Sequence, residues 1–323
     1  MRIRIIAPGP QATIQDLGRP QWRGSGVPAG GAADTLSHRM ANMLLGNAPG
    51  AASLELIGGG SRMEVTEPGW LAWAGLGATC WIDGKAWEGA RRAYMPIGTT
   101  LHFRAKGQGN YSYLACPGGW DVPLVLDSRS TCLSAHFGGL HGRPLQREDV
   151  LSARGALASA HTGCYISPYY VGQPPMPQVV TLRTLPGPER SLWGRQQQAA
   201  WPAATFLLTP QHDRMGVRLQ PSNSTADLRM QTTTASTLPS SAVQHGTVQL
   251  PPDGCPIVLL ADAQTTGGYP RVAQVLDTDL PLLAQCRTGQ AVRFQDVSLE
   301  EAERLWLQRE QHWQRLSWAL EHV

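Results

Sequence analysis

The chain has 323 residues, 42% apolar and 16% charged, with a formal net charge of +3. That length allows two ordinary domains or one large one with real cores. The small charge is too little to argue for nucleic-acid binding, which needs a clustered basic face, and the low charged fraction, against roughly 25% in typical soluble domains, points to surface covered by another chain.

No stretch approaches the roughly 18 apolar residues that cross a membrane. The start, MRIRIIAPGP, has too short an apolar run for a signal peptide. Six cysteines (Cys80, Cys116, Cys132, Cys164, Cys255 and Cys286) contain no C-x-x-C pair. They read as reduced, mostly buried thiols of a cytosolic protein. The nine histidines show no metal-ligand spacing; the closest pair, His136 and His141, reads as loop, and no metal site is expected. Only Lys85 and Lys106 are lysines, so arginine supplies nearly all the positive charge. Arginine suits bidentate recognition of carboxylate or phosphate, although a codon preference accounts for the bias at most positions.

In chain order, Gln15-Asp-Leu-Gly-Arg19-Pro20 and Gly26-Val-Pro-Ala-Gly30-Gly-Ala-Ala-Asp34 crowd glycines ahead of a helix from Asp34 to about Leu45. Asp34 can cap it and Gly46 can end it. Its N-terminal amides form a ready anion site, so Asp34 reads as cap, as ligand contact, or as both. Short strands are expected at Gly69–Ala74, Ala78–Ile82, Thr100–Arg104 and Tyr111–Ala115, with a turn at Asp83-Gly84. Residues 151–178 change character, through Tyr165, Tyr169 and Tyr170 to a proline-rich connector, Gly172 to Pro177. The boundary placed there divides the chain into residues 1–165, 178–298 and a C-terminal helix over 299–323.

Beyond the connector, strands are expected at Val179–Leu185, Thr205–Leu208, Ile257–Ala261 and Ala291–Gln295, with a turn at Pro252-Asp253-Gly254. In Gln211-His-Asp213-Arg214-Met-Gly216, an arginine beside an aspartate is either oriented for an anion or one half of a surface ion pair. The strand at Ile257 runs into Asp262-Ala-Gln264-Thr265-Thr266-Gly267-Gly268-Tyr269-Pro270. There Gly267 and Gly268 can adopt positive φ and admit a ligand to the backbone, as an anion-binding nest or as an ordinary hairpin turn. The last helix opens with a Ser298–Glu301 capping box. Its apolar stripe is Leu299, Ala302, Leu305, Trp306, Trp313, Leu316 and Leu320, for packing on its own barrel or on a partner.

There is no Walker-type phosphate loop, no G-x-G-x-x-G after a strand and no G-x-S-x-G elbow. Neither lysine lies in a Met-Lys-Met setting, so biotin is not expected on this chain. The residues alone therefore indicate a mainly β barrel or sandwich with candidate anion-binding turns and no identified catalytic base.

Nine blocks in order carry a further signal: QDLGRP, GVPAGGAAD, SLELIGG, CPGGWDVP, SRST, LPGPE, DRMGVRL, VQLPPDG and DAQTTGGYP. From Ile5 to about Ala302 the chain resembles the KipA family, whose members are also called allophanate hydrolase subunit 2 or the C subunit of 5-oxoprolinase. It is a biotin-dependent carboxyltransferase-like group related to urea amidolyase. The resemblance implies cyclophilin-like β-barrel subdomains. It implies the C subunit of an ATP-dependent 5-oxoprolinase, active only in a complex. A KipI-like B subunit joins it in activating 5-oxoproline, and the hydrolase of the complex, its A subunit, then opens the ring to glutamate. The alternatives it implies are a urea carboxylase or allophanate hydrolase-type carboxyltransferase subunit, and a KipA-like regulator that binds a KipI-like kinase inhibitor. Expected contacts to a small amide or lactam substrate are Arg19, Asp34, Arg214, Gln264, Thr265, Thr266, Gly267, Gly268 and Tyr269. The chain departs from the family pattern at Gly30, Cys116, Pro117, Trp120, Val217 and His245.

Overall fold

The structure is a computed structural model, and it describes residues 1–158, 161, 163–167, 175–222 and 238–321. Of the expected connector, Tyr169, Tyr170 and residues 172–174 lie outside the described residues. The chain groups into two compact units. The first comprises Met1–Arg19, Gly30–Pro175 and Arg315–Val323; the second comprises Pro20–Ala29 and Met176–Gln314.

The first unit holds β1 (Arg2–Ala7), β2 (Gln11–Gln15), α1 (Thr35–Met43), β3 (Ser53–Ile57), β4 (Arg62–Glu67), β5 (Gly69–Gly75), β6 (Ala78–Ile82), β7 (Lys85–Trp87), β8 (Arg91–Met95), β9 (Thr100–Ala105), β10 (Tyr111–Ala115), β11 (Val150–Ser152) and β12 (Tyr165–Ile166). One six-stranded sheet runs β11-β1-β4-β9-β6-β7 and the other β12-β8-β5-β10-β3-β2. In the first sheet alternation makes the strands two-faced, whereas β2, β3, β5 and β10 of the second are buried at nearly every position. In β1, Ile3 and Ile5 are fully buried while Arg2 and Arg4 point outward to Glu67 and Glu64. Met63, Val65, Leu101 and Phe103 of the first sheet share one core with Leu54, Leu56, Leu71 and Trp73 of the second. Each such side chain contributes about 1.5–3 kcal/mol by burial. The turn between β6 and β7 has Asp83 at φ 45° and Gly84 at φ 84°, the two left-handed positions an Asp-Gly hairpin needs. Asp34 is the N-cap of α1: its carboxylate accepts from Ser37 N at 3.0 Å and from Ser37 Oγ at 2.5 Å.

The second unit holds β13 (Val179–Pro186), α2 (Arg195–Ala203), β14 (Phe206–His212), β15 (Gly216–Pro221), β16 (Ser241–Ala242), β17 (Thr247–Gln249), β18 (Ile257–Leu259), β19 (Thr266–Gly267), β20 (Arg271–Val275), α3 (Leu280–Gln285), β21 (Ala291–Asp296) and α4 (Leu299–Glu321) as far as Gln314, the rest of that helix being grouped with the first unit. Seven strands close a barrel in the order β13-β20-β17-β18-β15-β14-β21. The first and last strands meet in parallel, from Val179 opposite Ala291 to Thr184 opposite Asp296, which leaves the barrel no open edge. Val180, Leu182, Leu219, Val248, Val258 and Phe294 fill it. Trp201 of α2 stacks on Phe294 with centroids 4.3 Å apart. The expected mainly β class, with few helices and a long C-terminal one, is what the structure has.

Only half of the expected capping box forms in α4. Glu301 N donates to Ser298 Oγ at 3.2 Å, but the Glu301 carboxylate is taken by Arg304 instead of turning back to Ser298 N. Of the apolar stripe, Trp313 is buried, whereas Leu299 and Trp306 are exposed. Among the described residues no helix is long and apolar enough to cross a membrane.

Candidate functional site

The DRMG and DAQTTGG blocks are joined within the second unit by one arginine. Arg214 Nε and Nη2 donate to the two Asp262 carboxylate oxygens, each at 2.8 Å, and Asp262 N donates back to Arg214 O at 2.9 Å. Both side chains are below one-tenth exposed. The partner is thus not the neighbouring Asp213, and the pair is not a surface one. Asp213 instead caps its own turn, accepting from Met215 N at 2.7 Å and Gly216 N at 3.2 Å. A bidentate fork in a buried setting fixes the relative position of two loops, and removal of either partner strands a charge.

A second arginine, which sequence reasoning passed over, secures the same loop. Arg23 lies in the 3-10 turn Pro20–Ser25 and donates through Nη2 to Val243 O and to Gln264 O, the latter at 3.4 Å. Burial lowers its proton affinity. Val243 N then donates to Thr265 O at 3.0 Å, and β16 pairs with β19, Ser241 opposite Gly267 and Ala242 opposite Thr266. The Gly-rich segment is therefore laid down as a short ribbon. This corrects the expectation of a positive-φ nest: neither Gly267 nor Gly268 is in the left-handed region. Glycine is needed at 267 for space. A methyl group there would overlap Gln249 Nε2 and come within 3.2 Å of Gln249 Cδ. At 268 the nearest atom to such a methyl, Leu238 O, is 3.6 Å away, an ordinary contact.

These loops wall a cavity of about 380 Å³, within the size range of small-molecule sites. Gln264, Gly267, Gly268 and Tyr269 line it, as do Gln211, Asp213, Met215, Arg218, Gln249, Ile257 and Leu259. Its one arginine, Arg218, pairs with Asp253. Gln249 is 2% exposed; its Oε1 accepts from Gln264 Nε2 at 3.5 Å, and its Nε2 has no partner among the described residues. Nearby, half-buried His245 has its pKa lowered to about 4. Burial is the main cause; Arg214 and Arg23 add to it, and Asp277 and Asp262 oppose it. The ring is neutral at pH 7 and adds no further positive charge to the two arginines.

Thr265 and Thr266 lie in the same segment, with Thr265 O and the Thr266 backbone committed to the ribbon. Arg19 and Asp34 belong to the first unit. Arg19 is fully buried, donates to Val125 O at 3.3 Å and Ser130 O at 2.6 Å, and lies 4.9 Å from the Phe137 ring centroid. The QDLGRP and SRST blocks meet there. The Asp16 carboxylate accepts from Ser128 Oγ (2.6 Å), Ser130 Oγ (2.5 Å), Gly18 N (2.7 Å) and Arg129 N (2.6 Å). In the same way the SLELIGG block meets the helix entry. Glu55 accepts from Tyr113 Oη at 2.7 Å and Ala33 N at 3.0 Å, and Tyr113 Oη accepts from Asp34 N at 2.8 Å. Among the described residues no group of three His, Cys, Asp or Glu side chains is placed to hold a metal ion.

The family described as carboxyltransferase domain, subdomain A and B, matches residues 25–296. The chain is 37% identical over 319 residues to the C subunit of 5-oxoprolinase from Escherichia coli (strain K12), covering 98% of each. It is 38% identical over 303 residues to the C subunit of 5-oxoprolinase from Haemophilus influenzae, covering 94% of each. Among solved structures, the K. lactis urea amidolyase shares the fold, with a TM-score of 0.86 at 22% identity. That likeness covers 98% of this chain and 20% of the larger one.

Proposed function

Because the chain belongs to the carboxyltransferase domain family, subdomain A and B, we propose that it is the C subunit of an ATP-dependent 5-oxoprolinase, active in the cytoplasm only as part of a complex. The observation that carries this reading is the identity of 37% and 38% to two proteins named as the C subunit of 5-oxoprolinase, along nearly the whole length of both. In this reading a KipI-like B subunit joins the chain in activating 5-oxoproline, and the A subunit, which is the hydrolase, then opens the lactam to glutamate.

The cavity beside Gly267 supports a small amide acid as ligand. The side-chain amide of exposed Gln264 offers a donor and an acceptor to a lactam edge, and Arg218 supplies a cation for a carboxylate. Met215, Ile257 and Leu259 give the ring apolar walls. The same residues do not fit a nucleotide triphosphate. One arginine that shares its guanidinium with Asp253 can meet a single carboxylate but not the several charges of a triphosphate, Asp213 lines the same space, and no glycine-rich loop opens a helix there. In the proposed complex, ATP binds at a site shared with the partner.

The test is reconstitution. The purified chain alone is expected to show no 5-oxoproline-dependent ATP hydrolysis, which appears when the KipI-like and hydrolase partners are added. Full activity from this chain alone refutes the shared-complex reading. Activity with urea and a biotin carboxylase in place of 5-oxoproline refutes the substrate.

A further inference from the structure

The outward face of the sheet β11-β1-β4-β9-β6-β7 divides into two halves of different electrostatic character. On the β11-β1 side each arginine has an acid: Arg2 pairs with Glu67, and Arg4 with both Glu64 and Glu148. On the β4-β9-β6 half the register puts Arg62 opposite His102 and His102 opposite Trp81, one row across three strands. Arg104 lies two residues beyond His102, on the same face because strand side chains alternate. Arg62 and Arg104 are exposed and His102 and Trp81 half-buried, while the intervening Leu101 and Phe103 point into the core. Among the described residues neither Arg62 nor Arg104 has a carboxylate partner.

The patch is nevertheless ordered. The Arg104 guanidinium lies 4.6 Å from the Trp81 ring centroid and its Nε donates to His102 Nδ1 at 3.3 Å. Stacking on an aromatic face leaves the guanidinium edge, with its remaining donors, free for an anion. Burial lowers the His102 pKa, and Arg104 and Arg62 push it down further. The one acid in the adjoining row, Glu64, is committed to Arg4. The ring is thus neutral and adds a donor, Nε2–H, to an uncompensated cationic surface.

We propose that Arg62, His102, Arg104 and Trp81 form a docking surface for an acidic segment of a partner polypeptide. Strand spacing of about 4.8 Å and a two-residue rise of about 6.8 Å set Arg62 and Arg104 roughly 8 Å apart at Cα. That separation suits two carboxylates on successive same-face residues of a strand or helix, and is wider than one phosphate or carboxylate spans. Arginine and tryptophan are the residue types that dominate interface anchors. That the occupant is a polypeptide rests on the proposal that the chain works in a complex; the charge and geometry of the surface do not.

Two measurements test it. In the first, the full chain is titrated with hexaglutamate at low salt, and the Trp81 indole N–H and His102 ring resonances are followed by NMR. Both are expected to shift, and the His102 pKa to rise as carboxylates approach. Affinity is expected to fall on the order of tenfold in Arg62→Gln/Arg104→Gln, and to weaken further as the Debye length contracts from about 30 Å to about 8 Å. Absence of shifts, undiminished binding by the variant, or equal affinity for inorganic phosphate overturns the proposal. In the second, assembly with the purified KipI-like partner is measured for wild type and for Arg62→Glu/Arg104→Glu, with thermal midpoints as a control on folding. Assembly at least tenfold weaker in a folded variant supports the surface, and unchanged assembly overturns it. If wild type fails to assemble with the KipI-like partner while hexaglutamate still binds, the 5-oxoprolinase reading fails and the acidic-segment surface stands.

Discussion

Gly267→Ala tests whether the Gly-rich ribbon is built around the Gln249 amide. The added methyl overlaps Gln249 Nε2 and lies 3.2 Å from Cδ and 3.4 Å from Oε1, so the whole amide must move. It is the far end of a flexible side chain, which keeps the cost in the lower part of the roughly 1–3 kcal/mol range for overpacking, about 1–2 kcal/mol. Gln249 is 2% exposed, so its only nearby room is the cavity it lines; displacement both narrows that space and breaks the contact with Gln264. Gly268→Ala meets nothing nearer than 3.6 Å and is expected to stay within about 0.5 kcal/mol of wild type. Urea unfolding of the isolated chain, followed by tryptophan fluorescence, measures both. A double-mutant cycle with Gln249→Ala is the decisive arm: shortening the side chain removes the clash, so the double variant is expected to be about 1 kcal/mol more stable than additivity predicts. If Gly267→Ala and Gly268→Ala cost the same, or if the cycle shows no coupling, the packing account of Gly267 is wrong.

Asp262→Ala strands the buried Arg214 charge and is expected to cost about 3–5 kcal/mol in urea unfolding; a cost near that of an exposed pair, under about 1 kcal/mol, contradicts the buried fork. Acid sensitivity follows from His38 and His245, both held at about 4 in the folded chain chiefly by burial, against about 6.5 when unfolded. Below pH 6.5 the unfolded chain binds protons that the folded chain refuses. Stability is therefore full above pH 6.5 and declines down to pH 4, with each histidine removing about 2 kcal/mol by pH 5. His245→Gln should flatten that slope in chemical denaturation across pH 5–7, and an unchanged slope counts against a ring held neutral in the folded chain. Arg23→Ala should leave global stability within about 1 kcal/mol while speeding amide exchange at Val243 and across β19, and slow the reconstituted complex about tenfold; unchanged exchange there would show that Arg23 does not hold the loop.

What the sequence determined by itself was local. Alternation in Ala78–Ile82 and the aromatic content of Tyr111–Ala115 placed two strands at their observed limits, Asp83-Gly84 marked a hairpin turn, and Asp34 marked a helix start, because each of these is decided by a residue's own backbone preference or its nearest neighbours. Helices α2 and α3 were illegible for the same reason: nine residues burying only Gln197 and Trp201, and six residues around one turn, carry no periodic stripe. At the candidate site, Gln264, Gly267, Gly268 and Tyr269 were readable from a polar glycine-rich run after an apolar strand. The tertiary structure alone decided that Arg214 takes Asp262, 48 residues on, in preference to its neighbour Asp213. It alone placed the Gln249 amide under Gly267, brought Arg23 to the carbonyl of Gln264, and left Arg62 and Arg104 without acids among the described residues while Arg4 has two. Such pairings follow from strand order and register, set when β13 closes on β21 across more than a hundred residues and when sheet neighbours are chosen. A local pattern tells which side of a strand is buried; which charge waits on the adjacent strand depends on how the whole sheet closes.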